Sequence, residues 1–488
     1  MFVLYIPKCM STQHPDNVST PFFAEESELS GEDEIQEAYY VFSHLGCDEQ
    51  MWDCEGKEVD NYVVKKLITK YPSFFRMKRL GRDIFLTLRI PNPSVELAEA
   101  KILLETLESI PRSFDAANLF FKDDLPPIFE VILPMVTSAK FIDRIYRYYC
   151  DFVVGKQSKP FKEGDITIAD WVGRFKPERI NVIPLFEDMK RLIDCDNILR
   201  EYVADKDLSY QRVFIARSDP AMNYGLVSAV LLNKIALIKM QALSEELGLP
   251  IYPIIGVGSP PFRGNLTPLN VDKVIGEYPS VHTFTVQSAF KYDYPPEQVI
   301  NGIRKIKEKE TRSVKNFDLV KALGVISKYF KEYHKQIGKL ASIINTVSNF
   351  IPSRRKRKLH IGLFGYSRSV GEIKLPRAIP FTAALYSIGI PPEILALNSL
   401  DDKDLEFVEE VYVNFQSDLK DSLRYYNPDS PFMLDEIQPA IKELLNDVQE
   451  CVEHKKITDQ INKLLVNNKT EGLKEHILNA ASLRGFLG

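Results

Sequence analysis

The stretch Ile180-Asn181-Val182-Ile183-Pro184-Leu185-Phe186-Glu187 is an almost continuously apolar run that ends in a carboxylate. The segments between this run and others like it are long enough for at least one helix each, and two of them have apolar residues at helical spacing (Val95–Leu107 and Tyr224–Met240). Apolar strands that alternate with helices form parallel sheets covered by those helices. The seven other runs are Phe2–Ile6, Ile84–Ile90, Ile128–Leu133, Val213–Ala216, Tyr252–Val257, Val281–Val286 and His360–Phe364. Eight such units predict an α/β protein with a (β/α)8 TIM-type barrel, enlarged by additional helices.

The last part of the chain has a different pattern. From about Leu400 the sequence is rich in Asp, Glu, Lys and Leu at helical spacing and contains no strand candidate. We therefore expect a barrel-containing domain over residues 1–399 and a C-terminal helical extension, packed on the barrel, over residues 400–488. No Gly/Ser linker or internal repeat indicates an independent domain.

Composition narrows the class of protein. The chain has 488 residues, 45% of them hydrophobic and 26% charged, with a formal charge of −5, so a polyanion such as nucleic acid is not an expected partner. The six cysteines contain no Cys-x-x-Cys pair, which predicts reduced thiols in a cytoplasmic protein. We find no basic leader and no apolar run of about 18 residues, and so expect no membrane association.

One basic run, Arg354–Lys358, could be mistaken for a nucleic-acid-binding patch. It directly precedes the strand candidate His360–Phe364 and has no interleaved aromatic residues. These features favour a solvated loop at the closed end of the barrel.

Polar side chains follow the predicted strands, and in a parallel barrel such positions meet at one face. His14 lies in the stiff turn Met10–Asn17, next to Pro15. Each residue alone has a structural explanation, such as a helix cap for Asp219 or a turn for His14. Structural roles of this kind do not explain why so many charged residues follow the strands together. The residues are His14, Arg89, Glu187, Arg217, Asp219, Arg263, Lys291, Arg368 and Arg377.

Glu187 and Asp219 follow consecutive predicted strands, so their carboxylates are expected to lie close together. Two carboxylates with water and substrate oxygens suit Mg²⁺ or Mn²⁺. Guanidinium groups bind phosphate and carboxylate bidentately, so several arginines around a metal indicate a small anion that carries both groups. The residues therefore predict a metal-assisted enzyme that acts on a small phosphorylated carboxylic acid.

Seven motifs in one order resemble the phosphoenolpyruvate carboxylase family, more specifically its short archaeal-type form. The tail Ala480–Gly488 also resembles the end of the family's chains. The seven motifs are Cys9–Asn17, Val182–Glu187, Arg217–Gly225, Pro261–Asn265, Phe290–Tyr292, Gly365–Arg368 and Leu375–Pro380.

The resemblance implies carboxylation of phosphoenolpyruvate by bicarbonate to oxaloacetate and phosphate, through carboxyphosphate and a metal-stabilised enolate. It also implies a homotetramer. By this resemblance Glu187 and Asp219 hold the metal, Arg368 and Arg377 bind the substrate with Arg89 as a third arginine, Arg263 and Arg368 take part in catalysis, and His14 removes the proton of carboxyphosphate. The Gly and Ser content around Arg368–Glu372 favours a mobile lid.

The sequence departs from the longer bacterial and plant enzymes in the glycine-rich loop. Ile255 and Val257 stand near the positions of a histidine and an extra arginine in those enzymes, and Met222 replaces a lysine. Lys291 is a candidate substrate-binding substitute, and a surface lysine is the alternative. Two other functions stay open at this point: another Mg²⁺-dependent barrel enzyme of the mutase, lyase or aldolase type, and a non-catalytic anion-binding scaffold.

Overall fold

The computed structural model describes residues 5–54, 60–95, 100–356, 368–370 and 373–488, with residues 368–370 and 373 described by their backbone alone. Eight parallel strands close into a barrel in sequence order, and β1 pairs with β8. The strands are β1 Cys9–Ser11, β2 Glu49–Asp53, β3 Phe85–Arg89, β4 Glu130–Leu133, β5 Asn181–Phe186, β6 Gln211–Ala216, β7 Ile251–Gly256 and β8 Thr283–Val286. The predicted (β/α)8 barrel is thus confirmed, and six of the eight predicted runs coincide with its strands.

Two barrel strands differ from the prediction. The first is Cys9–Ser11, whereas Tyr5 and Ile6 of the predicted run lie in no strand. The second, Glu49–Asp53, was missed because Glu49 and Asp53 alternate with apolar residues and face the barrel interior, where ion pairs satisfy them. The predicted strand His360–Phe364 lies outside the described residues, and the barrel closes without it.

Helices surround the barrel, and a short antiparallel hairpin of β9 Arg368–Val370 and β10 Ile373–Leu375 follows the longest of them. Short π- or 3-10 helices occur at Val41–Leu45, Tyr148–Val154, Gly155–Ser158, Pro261–Arg263, Pro392–Ile394, Leu397–Ser399 and Leu444–Asp447. The α-helices are α1 Glu32–Tyr40, α2 Val63–Lys70, α3 Pro72–Met77, α4 Ile102–Phe121, α5 Ala139–Arg147, α6 Ile168–Val172, α7 Met189–Ile193, α8 Cys195–Val203, α9 Ser218–Tyr224, α10 Leu226–Leu247, α11 Val271–Glu277, α12 Ser288–Tyr292, α13 Pro296–Glu308, α14 Leu319–Ser348, α15 Ala378–Ser387, α16 Asp402–Val411, α17 Phe415–Leu423, α18 Gln438–Ile441, α19 Val452–Val466 and α20 Leu473–Arg484.

Helix α10 is long and apolar enough to cross a bilayer by length and composition. In the fold, 72% of its most apolar part is buried inside the protein. The bent pair formed by α15 and Pro392–Ser399 is long and apolar enough to cross a bilayer only if its two parts are counted as one span. Burial of this extent is typical of the core helix of a globular barrel.

The barrel interior is filled by two kinds of side chain. An apolar layer is formed by Met10, Met51, Ile132, Ile183, Leu185, Phe214, Ala216 and Ile254. At the amino ends of the strands, the Arg212 guanidinium lies 2.7 Å from Glu49 and 2.8 Å from Glu130, and all three residues are buried. The two carboxylates come from β2 and β4 and the arginine from β6, so this layer ties alternate strands together.

The region after residue 400 is helical and packs on the barrel. One hydrophobic core cluster includes residues from both sides of the predicted boundary, from Cys9 to Ile477. Past the end of α20, the Leu487 N–H donates a 2.7 Å hydrogen bond to the Asp16 carbonyl. The helical extension therefore reaches the loop that follows β1.

Candidate active site

A cavity of about 370 Å³ opens at the carboxyl ends of the barrel strands. It brings together residues that are far apart in the sequence and that follow β1, β3, β5, β6 and β7. Among the predicted site residues, those that line it are His14, Arg89, Glu187, Arg217, Asp219, Arg263 and Arg377. Active sites of parallel barrels lie at this face.

His14 is held in the loop after β1 by both its ring and its backbone. Its Nδ1 lies 2.9 Å from the Thr12 hydroxyl, and its carbonyl accepts a 3.2 Å hydrogen bond from the Ser288 N–H. The Thr12 N–H in turn donates to the Val286 carbonyl at 3.0 Å, which continues the β1–β8 pairing. The ring is therefore presented to the cavity by a loop that is fixed at several points.

Glu187 follows β5, and a specialised turn after β4 orients its carboxylate. The Met135 N–H donates a 2.6 Å hydrogen bond to Glu187 Oε2. Met135 has a φ of 52°, in the left-handed region that non-glycine residues rarely adopt. The Asn92 amide supports this turn by donating to the Pro134 carbonyl at 2.8 Å. Backbone strain of this kind is typical of functional sites.

Asp219 lies in the first turn of α9, directly after β6, and lines the cavity with Glu187. Within the described part of the chain, no group of three or more His, Cys, Asp or Glu side chains could hold a metal. A divalent cation here would thus have two protein carboxylates, a donor set that Mg²⁺ accepts when water and substrate oxygens complete its shell. The residues present fit such an ion.

Arg263 is buried in the cavity wall with acceptors on several sides. Its guanidinium donates to Ser218 Oγ at 3.1 Å and Gln287 Oε1 at 2.6 Å, and it also contacts Asp16 and the Gly488 carbonyl. Burial lowers the pKa of Arg263, partly offset by the charges of Asp16 and Asp219. This arginine is therefore held at several points in the cavity wall, close to Asp219.

Two of the predicted substrate arginines lie in the cavity wall. Arg89, the last residue of β3, makes two parallel hydrogen bonds with Asp53, at 3.0 and 2.6 Å. Arg377 is the residue that precedes α15. The side chain of Arg368 and the predicted lid turn at positions 371–372 lie outside the described residues; the backbone of Arg368 begins β9.

Lys291 is fully buried, which excludes the surface-lysine alternative. It does not line the cavity; its ammonium donates to Ser11 Oγ at 3.0 Å, the Thr12 carbonyl at 2.9 Å and Glu37 Oε1 at 2.9 Å. The structure thus places Lys291 next to the loop of His14 but outside the cavity wall.

The first two residues of the basic run are a correction to the sequence analysis, whereas Lys356 is exposed and positions 357–358 lie outside the described residues. Arg354 and Arg355 are buried and line the cavity at the open end of the barrel, instead of forming a solvated loop at its closed end. Arg354 donates to the carbonyls of Asn17 and Val18, while Arg355 forms ion pairs with Glu34 and Glu37. The acidic partners of Arg355 are more than 300 residues away, so the local sequence could not reveal them.

Sequence reasoning also missed Asp53, Gln13 and Gln287. Asp53 was overlooked together with strand β2, although an acidic residue at the end of a strand is a recognisable signal. Gln287 directly follows β8, and its side-chain oxygen accepts a 2.6 Å hydrogen bond from Arg263. These residues orient the charged groups of the cavity.

Comparisons with known proteins agree with the motifs. The family model described as phosphoenolpyruvate carboxylase matches residues 6–488. Proteins named phosphoenolpyruvate carboxylase are similar to this chain over 99% of its length: one from Methanothermobacter thermautotrophicus at 58% identity and one from Pyrococcus furiosus at 54%, each aligned over its whole length, and one from Halobacterium salinarum at 47%, aligned over 99% of its length.

Among solved structures, the Haloferax volcanii malate synthase complex with pyruvate and acetyl-CoA has a TM-score of 0.41 and 9% identity, covering 91% of this chain and 98% of that one. A likeness of this degree bears on neither substrate nor mechanism. The family model and the full-length relatives confirm the resemblance that the seven motifs predict: the chain belongs to the phosphoenolpyruvate carboxylase family.

Proposed function

We propose that this protein carboxylates phosphoenolpyruvate with bicarbonate, forming oxaloacetate and phosphate. The observation that carries the proposal is the cavity itself, in which Glu187, Asp219 and His14 meet a set of arginines at the carboxyl end of the barrel. Membership of the family supports the same reaction. A non-catalytic anion-binding protein has no need of a histidine and paired carboxylates beside its arginines.

Glu187 and Asp219 are the residues that would hold the divalent cation, Mg²⁺ or Mn²⁺. When bound, the cation supplies positive charge that stabilises a developing enolate oxygen. The hydrogen bond from the Met135 N–H to Glu187 fixes the direction of one of the two carboxylates. Orientation of a ligand by a neighbouring donor is a general feature of metal sites.

The arginines bind the two anionic groups of the substrate. Arg377 and Arg368 hold phosphate and carboxylate in this proposal, as the family resemblance implies, and Arg89 is held in place by Asp53. Arg263 lies in the cavity wall next to the carboxylates of Asp16 and Asp219. A guanidinium fork matches both anionic groups of phosphoenolpyruvate.

In the first half-reaction, a bicarbonate oxygen attacks phosphorus, and the bond from phosphorus to the enol oxygen breaks. The products are carboxyphosphate and the enolate of pyruvate. His14 then takes the proton of carboxyphosphate, which divides into CO₂ and phosphate. The enolate carbon attacks CO₂ and forms the new carbon–carbon bond of oxaloacetate.

Water must be kept from the enolate, because protonation at carbon would give pyruvate. The cavity wall supplies apolar surface for this purpose through Leu185, Phe214, Ile351, Ile379 and Pro380. An environment with little water also strengthens the electrostatic contribution of the arginines.

A coupled assay tests the proposal directly. Oxaloacetate formation from phosphoenolpyruvate should require both bicarbonate and a divalent cation, with one phosphate released for each oxaloacetate. Phosphoenolpyruvate turnover that is independent of bicarbonate would favour a mutase, lyase or aldolase type of barrel enzyme instead. No turnover under any condition would favour a binding protein.

His14→Asn tests the proposed base. The variant should still release phosphate in a bicarbonate-dependent manner, while pyruvate replaces much of the oxaloacetate, because carboxyphosphate is no longer deprotonated beside the enolate. Dehydrogenases specific for each product measure both in one reaction. Equal oxaloacetate and phosphate at the wild-type rate would show that His14 is only a turn residue.

We also propose that the protein is a homotetramer, as the family resemblance implies, and that it is cytoplasmic, as its six cysteines without a Cys-x-x-Cys pair indicate. Exposed aromatic side chains on the connection between β4 and β5 offer surface for association: Phe152, Phe161 and Trp171 are 60%, 53% and 68% exposed. Mass photometry of the purified chain should give four times its mass of 55.9 kDa. A monomer at micromolar concentration would contradict this proposal.

A further inference from the structure

Donors from several parts of the fold converge on one buried carboxylate beside the cavity. Glu37, on α1, is fully buried. Its oxygens accept two 2.7 Å hydrogen bonds from Arg355, one of 2.9 Å from Lys291 and one of 2.7 Å from the Tyr292 hydroxyl. The Gln13 side-chain amide approaches at 3.4 Å. We call Glu34, Glu37, Lys291 and Arg355 the Glu37 cluster.

Two partners of Glu37 connect it to different parts of the site, Arg355 to the cavity wall and Lys291 to the loop that carries His14. Arg355 is itself part of the lining, at the end of the segment 351–355. Lys291 also donates to the Thr12 carbonyl at 2.9 Å, and the Thr12 hydroxyl lies 2.9 Å from His14 Nδ1. One carboxylate thus connects the wall at Arg355 to the loop that carries His14.

A second connection leads to a predicted substrate arginine. The Gln13 side-chain oxygen accepts a 2.9 Å hydrogen bond from the Asp53 N–H. Asp53 in turn holds Arg89 through two parallel hydrogen bonds. Gln13 therefore lies between the Glu37 carboxylate and the strand end that positions Arg89.

The Glu37 cluster is electrically balanced, since Arg355 and Lys291 match the charges of Glu34 and Glu37. Burial alone would raise the pKa of the Glu37 carboxyl, but the charges of Arg355 and Lys291 outweigh burial and hold this pKa below its usual range. Glu37 is therefore ionised at neutral pH. A cluster with only a structural role would need this balance, but would not need contacts to the loop of His14.

We propose that Glu37 is a positioning residue for the second half-reaction, acting through Lys291 and the Thr12 carbonyl on the His14 loop and through Arg355 on the cavity wall. This inference rests on the proposed function. With the connection intact, His14 and the wall enclose CO₂ beside the enolate. When the connection is lost, the loop and the wall separate and water donates a proton to the enolate carbon, so that pyruvate forms after phosphate has been released.

The test compares two neighbouring glutamates that share Arg355. Glu37→Gln keeps the shape of the side chain but removes the charge that holds Lys291 and Arg355. Glu34→Gln is the matched control, because Glu34 lies on the same helix, α1, and pairs with the same arginine at 3.0 Å. For each purified variant we would measure phosphate, oxaloacetate and pyruvate in one reaction, together with the melting temperature.

In the wild type and in Glu34→Gln, oxaloacetate per phosphate should stay near one. In Glu37→Gln this ratio should fall by at least about twofold, with pyruvate making up the difference. The double variant Glu37→Gln/Lys291→Met restores the net charge of the cluster without the connection to Thr12. It should therefore recover the melting temperature but not the product ratio, and it serves as the test protein if the single variant does not fold.

An unchanged product ratio in folded Glu37→Gln, or in the double variant, would overturn the inference and leave the proposed function standing. Equal losses in Glu34→Gln and Glu37→Gln would also overturn it, because the effect would then come from Arg355 alone. A wild-type chain that shows no bicarbonate-dependent phosphate release would overturn the proposed function and this inference together. The two failures are therefore distinguishable.

Discussion

At the amino end of the barrel Arg212 lies between Glu49 and Glu130, and at the carboxyl end Arg355 lies between Glu34 and Glu37. Both arginines are buried, and each is paired with two buried carboxylates. At the amino end all three groups project from strands, whose backbones are fixed by hydrogen bonds on both sides. At the carboxyl end Arg355 lies in a connecting segment and lines the cavity.

The same ion-pair chemistry therefore has two uses. Burying a charge is costly unless the charge is paired. Each cluster therefore favours the one local arrangement in which all of its charges have partners. The cluster of Arg212, Glu49 and Glu130 lies on strands and connects parts of the barrel only to one another. The cluster at the carboxyl end joins a helix, a loop and the cavity wall, so a change there reaches the reacting groups. This division agrees with the general separation of stability and chemistry between the two ends of such barrels.

The largest effect on stability is expected from Arg212→Leu. It leaves Glu49 and Glu130 buried without their cation, which should reduce the free energy of unfolding by about 3–5 kcal/mol. Urea unfolding followed by circular dichroism measures this loss. Arg200→Leu is the control, since the Arg200–Glu246 pair is exposed to solvent and should contribute little to the free energy of unfolding. Similar losses in both variants would contradict a special role of the buried cluster.

At the carboxyl end, Asp219→Asn should change chemistry without a comparable loss of stability. It removes one of the two carboxylate charges that we propose as metal ligands, so the Mg²⁺ concentration for half-maximal activity should rise by at least about 10-fold and kcat should fall. Titration of activity with Mg²⁺ gives both values. Asp188→Asn is the control, because Asp188 follows Glu187 but caps helix α7 instead of lining the cavity. An unchanged Mg²⁺ dependence in Asp219→Asn would show that Asp219 is not a metal ligand.

Arg377→Lys should have a smaller effect than loss of the metal site. Lysine keeps the charge but loses the bidentate fork, and one charge-assisted hydrogen bond contributes about 1.5 kcal/mol or more, which corresponds to roughly tenfold in KM for phosphoenolpyruvate. Initial rates at varied phosphoenolpyruvate, at saturating bicarbonate and Mg²⁺, give this value. Wild-type KM and kcat in this variant would show that Arg377 only borders the cavity.

The last effect depends on pH and is expected at Glu393, a buried carboxyl behind the loop that carries Arg263. It accepts 2.6 Å hydrogen bonds from the Phe262 N–H and the Tyr386 hydroxyl, and burial raises its pKa from 4.5 to about 7. At Glu393 the folded protein thus binds more protons than the unfolded chain between these values, so the contribution of this group to stability is fully present below pH 4.5 and is lost as the pH rises through 7. The slope is at most about 1.4 kcal/mol per pH unit.

Glu393→Gln should abolish this contribution to the pH dependence. Urea unfolding of the variant and the wild type at pH 5.5, 6.5 and 7.5 measures the difference between their slopes. Parallel stability curves for the two proteins would contradict the raised pKa of Glu393.

The sequence by itself determined the barrel and most of the candidate site. Apolar runs such as Ile180–Phe186 become buried strands because every residue in them is shielded on both faces of the sheet. Once the strands are known, the residues after their carboxyl ends must meet, which is why Glu187, Asp219 and His14 share a cavity. The order of the seven motifs was sufficient to identify the family.

Only the tertiary structure decided the partners of the buried charges. The polar strand Glu49–Asp53 lacks the apolar pattern of a buried strand, since its inward side chains are satisfied by Arg212 and Arg89 from elsewhere in the chain. Arg355 belongs to a basic run that alone favours solvent, and Lys291 has no local feature that predicts burial. Charge can be buried wherever long-range folding supplies a counter-charge, and the positions of those counter-charges depend on closure of the barrel, not on neighbouring residues in the sequence.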